Sequence, residues 1–122
     1  MLSAVEKNYV KNIADIIMEQ LMTDRMEVCA WGSKNFFYLE RNIEGKSYPA
    51  LIFTIRTPKI KKGGRVIISY NEGVDTYIVE AVKMIKEKEI LIGKKDDVYC
   101  DELHSVINSL IEDEETYRLV YF

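Results

Sequence analysis

The chain has 122 residues, of which 48% are hydrophobic and 30% are charged, and its formal net charge is −3. This length fits one domain, and the composition excludes a disordered chain, which combines low hydrophobicity with high net charge. Uninterrupted apolar runs such as 50–53 are far shorter than the about 20 residues of a membrane-spanning helix. The sequence therefore predicts a single globular domain over 1–122 with no membrane partner.

The number of cysteines and the first residues of the sequence indicate the cellular compartment. Cys29 and Cys100 are too few for a disulfide scaffold, which favours a reducing environment. The opening residues 1–7 contain no apolar signal segment. We therefore expect a cytoplasmic location.

Charge is unevenly distributed along the chain. Residues 41–65 carry a net charge of +6, whereas residues 96–122 carry −7. Such asymmetry bears on partners and association rather than on the fold.

The clearest predicted element is a helix over 4–23. Ser3 and Glu6 have the spacing of a capping box. Apolar residues then recur at steps of three and four, which indicates one buried stripe. These residues are Val5, Tyr9, Val10, Ile13, Ile16, Ile17 and Leu21. We expect this helix to cover a sheet.

The middle of the chain changes to an alternating, strand-like period. The alternation predicts four strands, at 26–32, 36–41, 51–56 and 65–70. The first two form a hairpin through a turn at 32–35, and polar loops follow at 42–47 and 59–64. Pro58 ends the third strand because proline cannot donate to a ladder.

Residues 74–85 fit either a long strand or a helical stripe. Their β-branched residues and the preceding turn at 71–73 favour a strand. A short return strand at 89–92 follows a tight turn, and Gly93 with the two following lysines ends it.

A second helix follows Asp96 and Asp97, which offer N-terminal caps. Its apolar stripe is Tyr99, Leu103, Val106, Ile107, Leu110 and Ile111. The closing segment 117–122 alternates and is either an edge strand or a docked tail.

These elements predict an α+β fold. Short links between the strands require a mainly antiparallel sheet. The economical arrangement packs the N- and C-terminal helices on one face of a curled sheet of about five to six strands.

Several segments resemble small uncharacterised proteins carried on bacterial conjugative elements. The resemblance lies in Trp31-Gly32-Ser33, in Phe36-Phe37-Tyr38-Leu39, in 64–68 and in 71–77. It implies a mobile-element or accessory setting, and it brings no catalytic or binding residues.

No catalytic constellation emerges from the sequence. Cys100 and His104 share a helix face, and Cys29 could supply a third metal ligand, but a structural zinc site needs four. His104 is the one histidine, and no nucleophile elbow or phosphate-binding glycine loop is present. We therefore predict no enzymatic activity, no metal and no cofactor.

A basic hairpin loop is the first candidate binding site, and nucleic acid its candidate partner. It contributes five cations without an acid, namely Arg56, Lys59, Lys61, Lys62 and Arg65. Such a loop can follow a phosphate backbone, and neighbouring aromatic residues could stack on bases. The alternative is a solubilised hairpin tip, with the aromatic residues in the core.

An aromatic interaction surface is the second candidate site. The residues assigned to it are Trp31, Phe37, Tyr117, Tyr121 and Phe122. The preferred hypothesis is that the protein is a non-enzymatic accessory or adaptor domain. It would bind a protein partner or itself, for example as a homodimer. The alternative is a nucleic-acid-binding accessory domain that uses 56–65.

Overall fold

A five-stranded antiparallel sheet with helices on one face forms the structure. A computed structural model of the chain describes residues 4–57, 60–86 and 88–111. The strands are β1 (Lys34–Ile43), β2 (Lys46–Thr57), β3 (Ile60–Asn71), β4 (Thr76–Ile85) and β5 (Lys88–Val98). They pair in chain order, so β1 and β5 are the edges of the sheet. This arrangement confirms the predicted α+β class.

Within the described residues, three α-helices and two short 3₁₀ segments flank the sheet. The α-helices are α1 (Ala4–Leu21), α2 (Arg25–Ala30) and α3 (Leu103–Ile111), and the 3₁₀ segments are Met22–Asp24 and Cys100–Glu102. One apolar core joins the helices to one face of the sheet, with Phe53, Ile68 and Val79 fully buried against them. A smaller cluster on the opposite face contains Ala50, Ile52, Ile67 and Val82.

The segment 26–32 is not the predicted strand, because α2 extends to Ala30 and a turn follows at Trp31 and Gly32. Asp24 caps α2 by accepting a hydrogen bond from the backbone amide of Glu27 at 3.1 Å. The alternation of Met26, Val28 and Ala30 misled the prediction, because only Val28 of the three is buried. As a result, β1 pairs with β2 and does not form a hairpin with 26–32.

The predicted loop at 42–47 is a two-residue turn within a continuous hairpin. Asn42 and Ile43 pair with Ser47 and Lys46. The two residues between them, Glu44 and Gly45, have φ of 52° and 85°. Positive φ at both positions is the geometry that matches the twist of a tight hairpin.

The preference for a strand at 74–85 is confirmed by β4, but β5 is longer than predicted. Gly93 does not end β5, which continues to Val98 opposite Tyr77. A Cβ at Gly93 would lie 2.7 Å from Leu110 Cδ2, so glycine lets α3 approach the strand closely. Consequently Asp96 and Asp97 lie in β5 and do not cap the last helix.

The last helix otherwise follows its predicted apolar stripe. Leu103, Ile107 and Ile111 are buried against the sheet, whereas Tyr99 is exposed. The chain turns at Tyr99, whose backbone amide donates to Glu102 Oε1 at 3.0 Å. The segment 117–122 lies outside the described residues.

Candidate nucleic-acid interface

The antiparallel register brings basic residues from all five strands to one end of the sheet. The β2–β3 and β4–β5 connections both lie at this end, as shown by the pairs Thr57 with Ile60 and Ile85 with Lys88. The start of β1 lies here too, because Lys34 pairs with Thr54. Adjacent strands are about 4.8 Å apart, so the two connections are about 10 Å apart.

We call this region the basic end. It presents six basic side chains, which are Lys34, Arg56, Arg65, Lys83, Lys86 and Lys88. Four of them are exposed, and Arg65 and Lys83 are half-buried. Glu89 lies at the same end but binds Arg41, so it does not neutralise the rim lysines by direct pairing.

The predicted basic residues are thus only part of a wider cluster. Arg56 lies near the end of β2, and Arg65 lies in β3 opposite Thr54. Lys61 and Lys62 belong to β3 and not to the loop predicted there, whereas Lys59 lies outside the described residues.

Sequence reasoning missed the second hairpin of the cluster. The segment 66–95 has equal numbers of acids and bases, so it looks neutral. In the fold, Glu72 and Asp75 lie in the β3–β4 turn, at the opposite end from Lys83 and Lys86. The spacing of Lys83, Lys86 and Lys88 around a predicted hairpin turn was the feature of the sequence that could have indicated this second basic hairpin.

Arg65 and Phe37 lie together on the sheet face opposite the helices. The guanidinium carbon of Arg65 is 5.5 Å from the centroid of the Phe37 ring. This distance suits a cation–π contact, which orients the guanidinium without neutralising it. One residue of each predicted site therefore meets here, and Phe37 serves as the platform for a cation.

Trp31 belongs to the core and not to an interaction surface. Its exposed fraction is 3%, and its ring stacks on Phe53 with the centroids 6.3 Å apart. Its indole nitrogen donates to Asn108 Oδ1 at 2.7 Å, which ties the end of α2 to α3. The position buries the apolar ring and gives the indole N–H a hydrogen-bond partner, as a buried tryptophan requires.

The other predicted surface residues, Tyr117, Tyr121 and Phe122, lie outside the described residues. Other exposed aliphatic side chains lie near the β4–β5 connection. Ile85, Ile90 and Leu91 are 41%, 48% and 54% exposed. These aliphatic side chains lie beside Lys86 and Lys88, so this region is both basic and apolar.

The residues considered for catalysis or metal binding, Cys29, Cys100 and His104, do not form a metal-binding group in the described part of the chain. Cys29 and Cys100 are both free and exposed. His104 Nε2 lies 2.7 Å from the carbonyl oxygen of Leu21, and the imidazole lies 5.9 Å from the Trp31 ring. Within 4–57, 60–86 and 88–111, no group of three or more His, Cys, Asp or Glu side chains is arranged to hold a metal ion.

None of the described helices is both long and apolar enough to cross a membrane. Comparisons of the chain with models of protein families, with curated proteins and with solved structures find no match. The function must therefore be inferred from the geometry and charge of the described residues.

Proposed function

We propose that this protein is a non-enzymatic accessory domain that binds nucleic acid through its basic end. The observation that carries this proposal is the convergence of six basic side chains, from the five strands and the β4–β5 turn, on one end of the sheet. Double-stranded DNA carries one negative charge per about 1.7 Å of its axis, so a rim about 20 Å wide can contact several phosphates.

The chemistry of the rim suits contacts with the backbone more than reading of a sequence. Lysines and arginines at the basic end release counterions when they meet phosphates. The guanidinium of Arg65, 5.5 Å from the centroid of the Phe37 ring, adds a planar cation that can also stack on an unpaired base. We therefore propose binding with little sequence preference.

Fluorescence anisotropy of labelled oligonucleotides tests this function. We expect a Kd of about 1–100 µM near physiological salt and a logarithmic salt slope of about −3 to −5, since the slope is about −0.9 per neutralised phosphate of duplex DNA. Comparison of single-stranded and duplex probes of equal length shows which form the rim prefers. Absence of binding at low salt to both probes would contradict the proposal.

A second candidate function is protein–protein interaction, including self-association. The exposed aliphatic side chains of Ile85, Ile90 and Leu91 near the β4–β5 connection favour it, because an edge strand with exposed apolar residues offers a surface that a partner can cover. Sedimentation equilibrium of the protein and of its Ile90→Ser/Leu91→Ser variant tests this candidate. We expect the protein to dimerise at high salt, where charge effects are screened, and the variant to remain monomeric.

The setting proposed for either function is a cytoplasmic accessory role, associated with a mobile element. Support for it comes from the resemblance at Trp31-Gly32-Ser33 and 71–77. Detection of the protein in the soluble fraction of its native cells, bound to nucleic acid or to a partner, would test this setting.

A further inference from the structure

A tyrosine-lined cleft lies at the end of the sheet opposite the basic end. It has a volume of about 270 Å³ and lies between α1, the start of β2 and the β3–β4 turn. Three tyrosines and two glutamates contribute to its wall, and they are Tyr9, Tyr48, Tyr70, Glu40 and Glu72. We call this cavity the tyrosine cleft.

The charge of the tyrosine cleft is one-sided. Among the described residues that line it, two carry carboxylates and none is basic. The acidic residues Glu44, Asp75, Asp96 and Asp97 lie at the same end of the sheet and outnumber the lysines there, which are Lys46, Lys94 and Lys95. A ligand in this cleft therefore meets a negative potential, whereas a ligand at the opposite end meets a positive one.

Two tyrosine hydroxyls in the cleft are held by carboxylates. Tyr9 donates to Glu72 Oε2 at 3.3 Å, and Tyr70 donates to Asp75 Oδ1 at 2.6 Å. The hydrogen bond to Asp75 and partial burial raise the pKa of Tyr70 to about 12. Burial and the charge of Glu72 raise the pKa of Tyr9. Both phenols are therefore neutral at physiological pH and donate their protons to carboxylates.

We propose that the tyrosine cleft binds an alkylammonium group. Aromatic rings and carboxylates together attract such a cation, because the ring face is electron-rich and the carboxylate supplies full charge. The volume is below that of a site for a drug-sized ligand and suits a compact cation. The group is carried either by a small free amine or by a lysine side chain of a partner protein.

Nuclear magnetic resonance titration with choline tests this site. The matched neutral probe is 3,3-dimethyl-1-butanol, which has the same shape with carbon in place of nitrogen. We expect choline to cause saturable shifts at the amides of Tyr9, Tyr70 and Gly73, and the neutral probe to cause none. Equal shifts with both probes, or no saturable shift with choline, would overturn the proposal.

Two variants distinguish binding in the tyrosine cleft from general electrostatic attraction to this end of the sheet. Glu72→Gln removes a charge from the cleft, and Glu44→Gln removes one from the exposed β1–β2 turn outside it. We expect Glu72→Gln to weaken choline binding about two- to fivefold and Glu44→Gln to leave it unchanged. Equal effects of the two variants would overturn the site, since they would show attraction to the end as a whole.

A third probe identifies the source of the cation. Nα-acetyl-trimethyllysine N-methylamide carries the same ammonium group on a peptide backbone. Tighter binding of this probe than of choline supports the site as a receptor for a partner's lysine, and the reverse order supports it as a site for a free amine. The site is independent of the basic end, so its failure would leave the proposed nucleic-acid binding untouched.

Discussion

Arg41 on β1 binds Glu89 on β5, so a single guanidinium joins the two edge strands of the sheet. Arg41 Nη1 lies 2.7 and 3.0 Å from the two carboxylate oxygens of Glu89. The same guanidinium donates to Glu80 on β4 through Nε at 3.1 Å and Nη2 at 3.3 Å. These contacts cross the sheet face opposite the helices, and such a reach is possible only because the sheet is curled.

Removal of Arg41 should strongly destabilise the fold. Glu80 is 5% exposed, so Arg41→Ala would leave a buried carboxylate without its cation. We expect a loss of about 3–5 kcal/mol in the free energy of unfolding, measured by urea denaturation. Lys11→Ala is the control, because Lys11 forms a solvent-exposed pair with Asp15, and such pairs contribute little to stability. Equal effects of the two variants would contradict this role.

The cost of losing Arg41 should fall when its buried partner is also replaced by an apolar residue. Replacement of a buried ion pair by hydrophobic residues is often neutral, because the desolvation penalty disappears with the charges. We expect Arg41→Leu/Glu80→Leu to be more stable than Arg41→Leu by about 2 kcal/mol or more. Equal urea midpoints for the single and double variants would show that the charge of Glu80 is not the source of the loss.

The burial of Trp31 can be tested by its fluorescence, since it is the one tryptophan of the chain. We expect blue-shifted emission and weak quenching by iodide in the folded protein, because the ring is enclosed between Phe53 and α3. Trp31→Ala should cost about 3–5 kcal/mol in the free energy of unfolding. Free access of iodide to the folded protein would contradict the placement.

Two glycines with positive φ should differ in their tolerance of alanine. Gly32 has φ of 67°, and a Cβ there would lie 3.0 Å from the carbonyl oxygen of Arg56. Gly45 has φ of 85° with open space around it. Gly45→Ala therefore carries only backbone strain of about 1–2 kcal/mol, whereas Gly32→Ala adds a clash with β2. Urea denaturation should show the larger loss for Gly32→Ala, and the reverse order would contradict this contact.

The hydrogen bond between Tyr70 and Asp75 makes the stability depend on pH at the alkaline end. The pKa of Tyr70 is raised from 10.0 to about 12 in the folded protein. The folded state therefore holds the phenolic proton more tightly, and this contribution is complete below pH 10 and lost as the pH rises through 12. We expect Asp75→Asn to lower the pKa of Tyr70 and to flatten this loss. The titration of Tyr70 can be measured by nuclear magnetic resonance. An unchanged pKa of Tyr70 in the variant would contradict the role of Asp75.

The sheet and its covering helices could be predicted from sequence because their patterns are local. In α1 the predicted stripe residues Val10, Ile17 and Leu21 are buried, whereas Tyr9 and Ile16 are exposed. In β4 the residues of both faces are buried from Thr76 to Val82. The segment 26–32 could not be assigned in the same way. Its alternation is short enough to fit a two-turn helix, and the cap at Asp24 together with the packing of Trp31 decided the outcome.

The candidate site was only half visible in the sequence, because strand register determines which charges meet. Arg56 and Arg65 stood out as part of a basic run, whereas Lys83 and Lys86 were hidden in a segment of zero net charge. The contact between Arg65 and Phe37 also could not be predicted from the sequence, because it depends on the pairing of β1 and β3 with β2.

Charge reversal at the two ends of the sheet, compared by oligonucleotide anisotropy, tests the central claim most directly. Lys83→Glu/Lys86→Glu/Lys88→Glu alters the basic end, and Lys46→Glu/Lys94→Glu/Lys95→Glu makes the same change in net charge at the opposite end. We expect the first variant to lose binding and the second to keep most of it, with a salt slope close to that of the parent protein. Equal losses in the two variants, or binding retained by the first, would contradict an interface at the basic end.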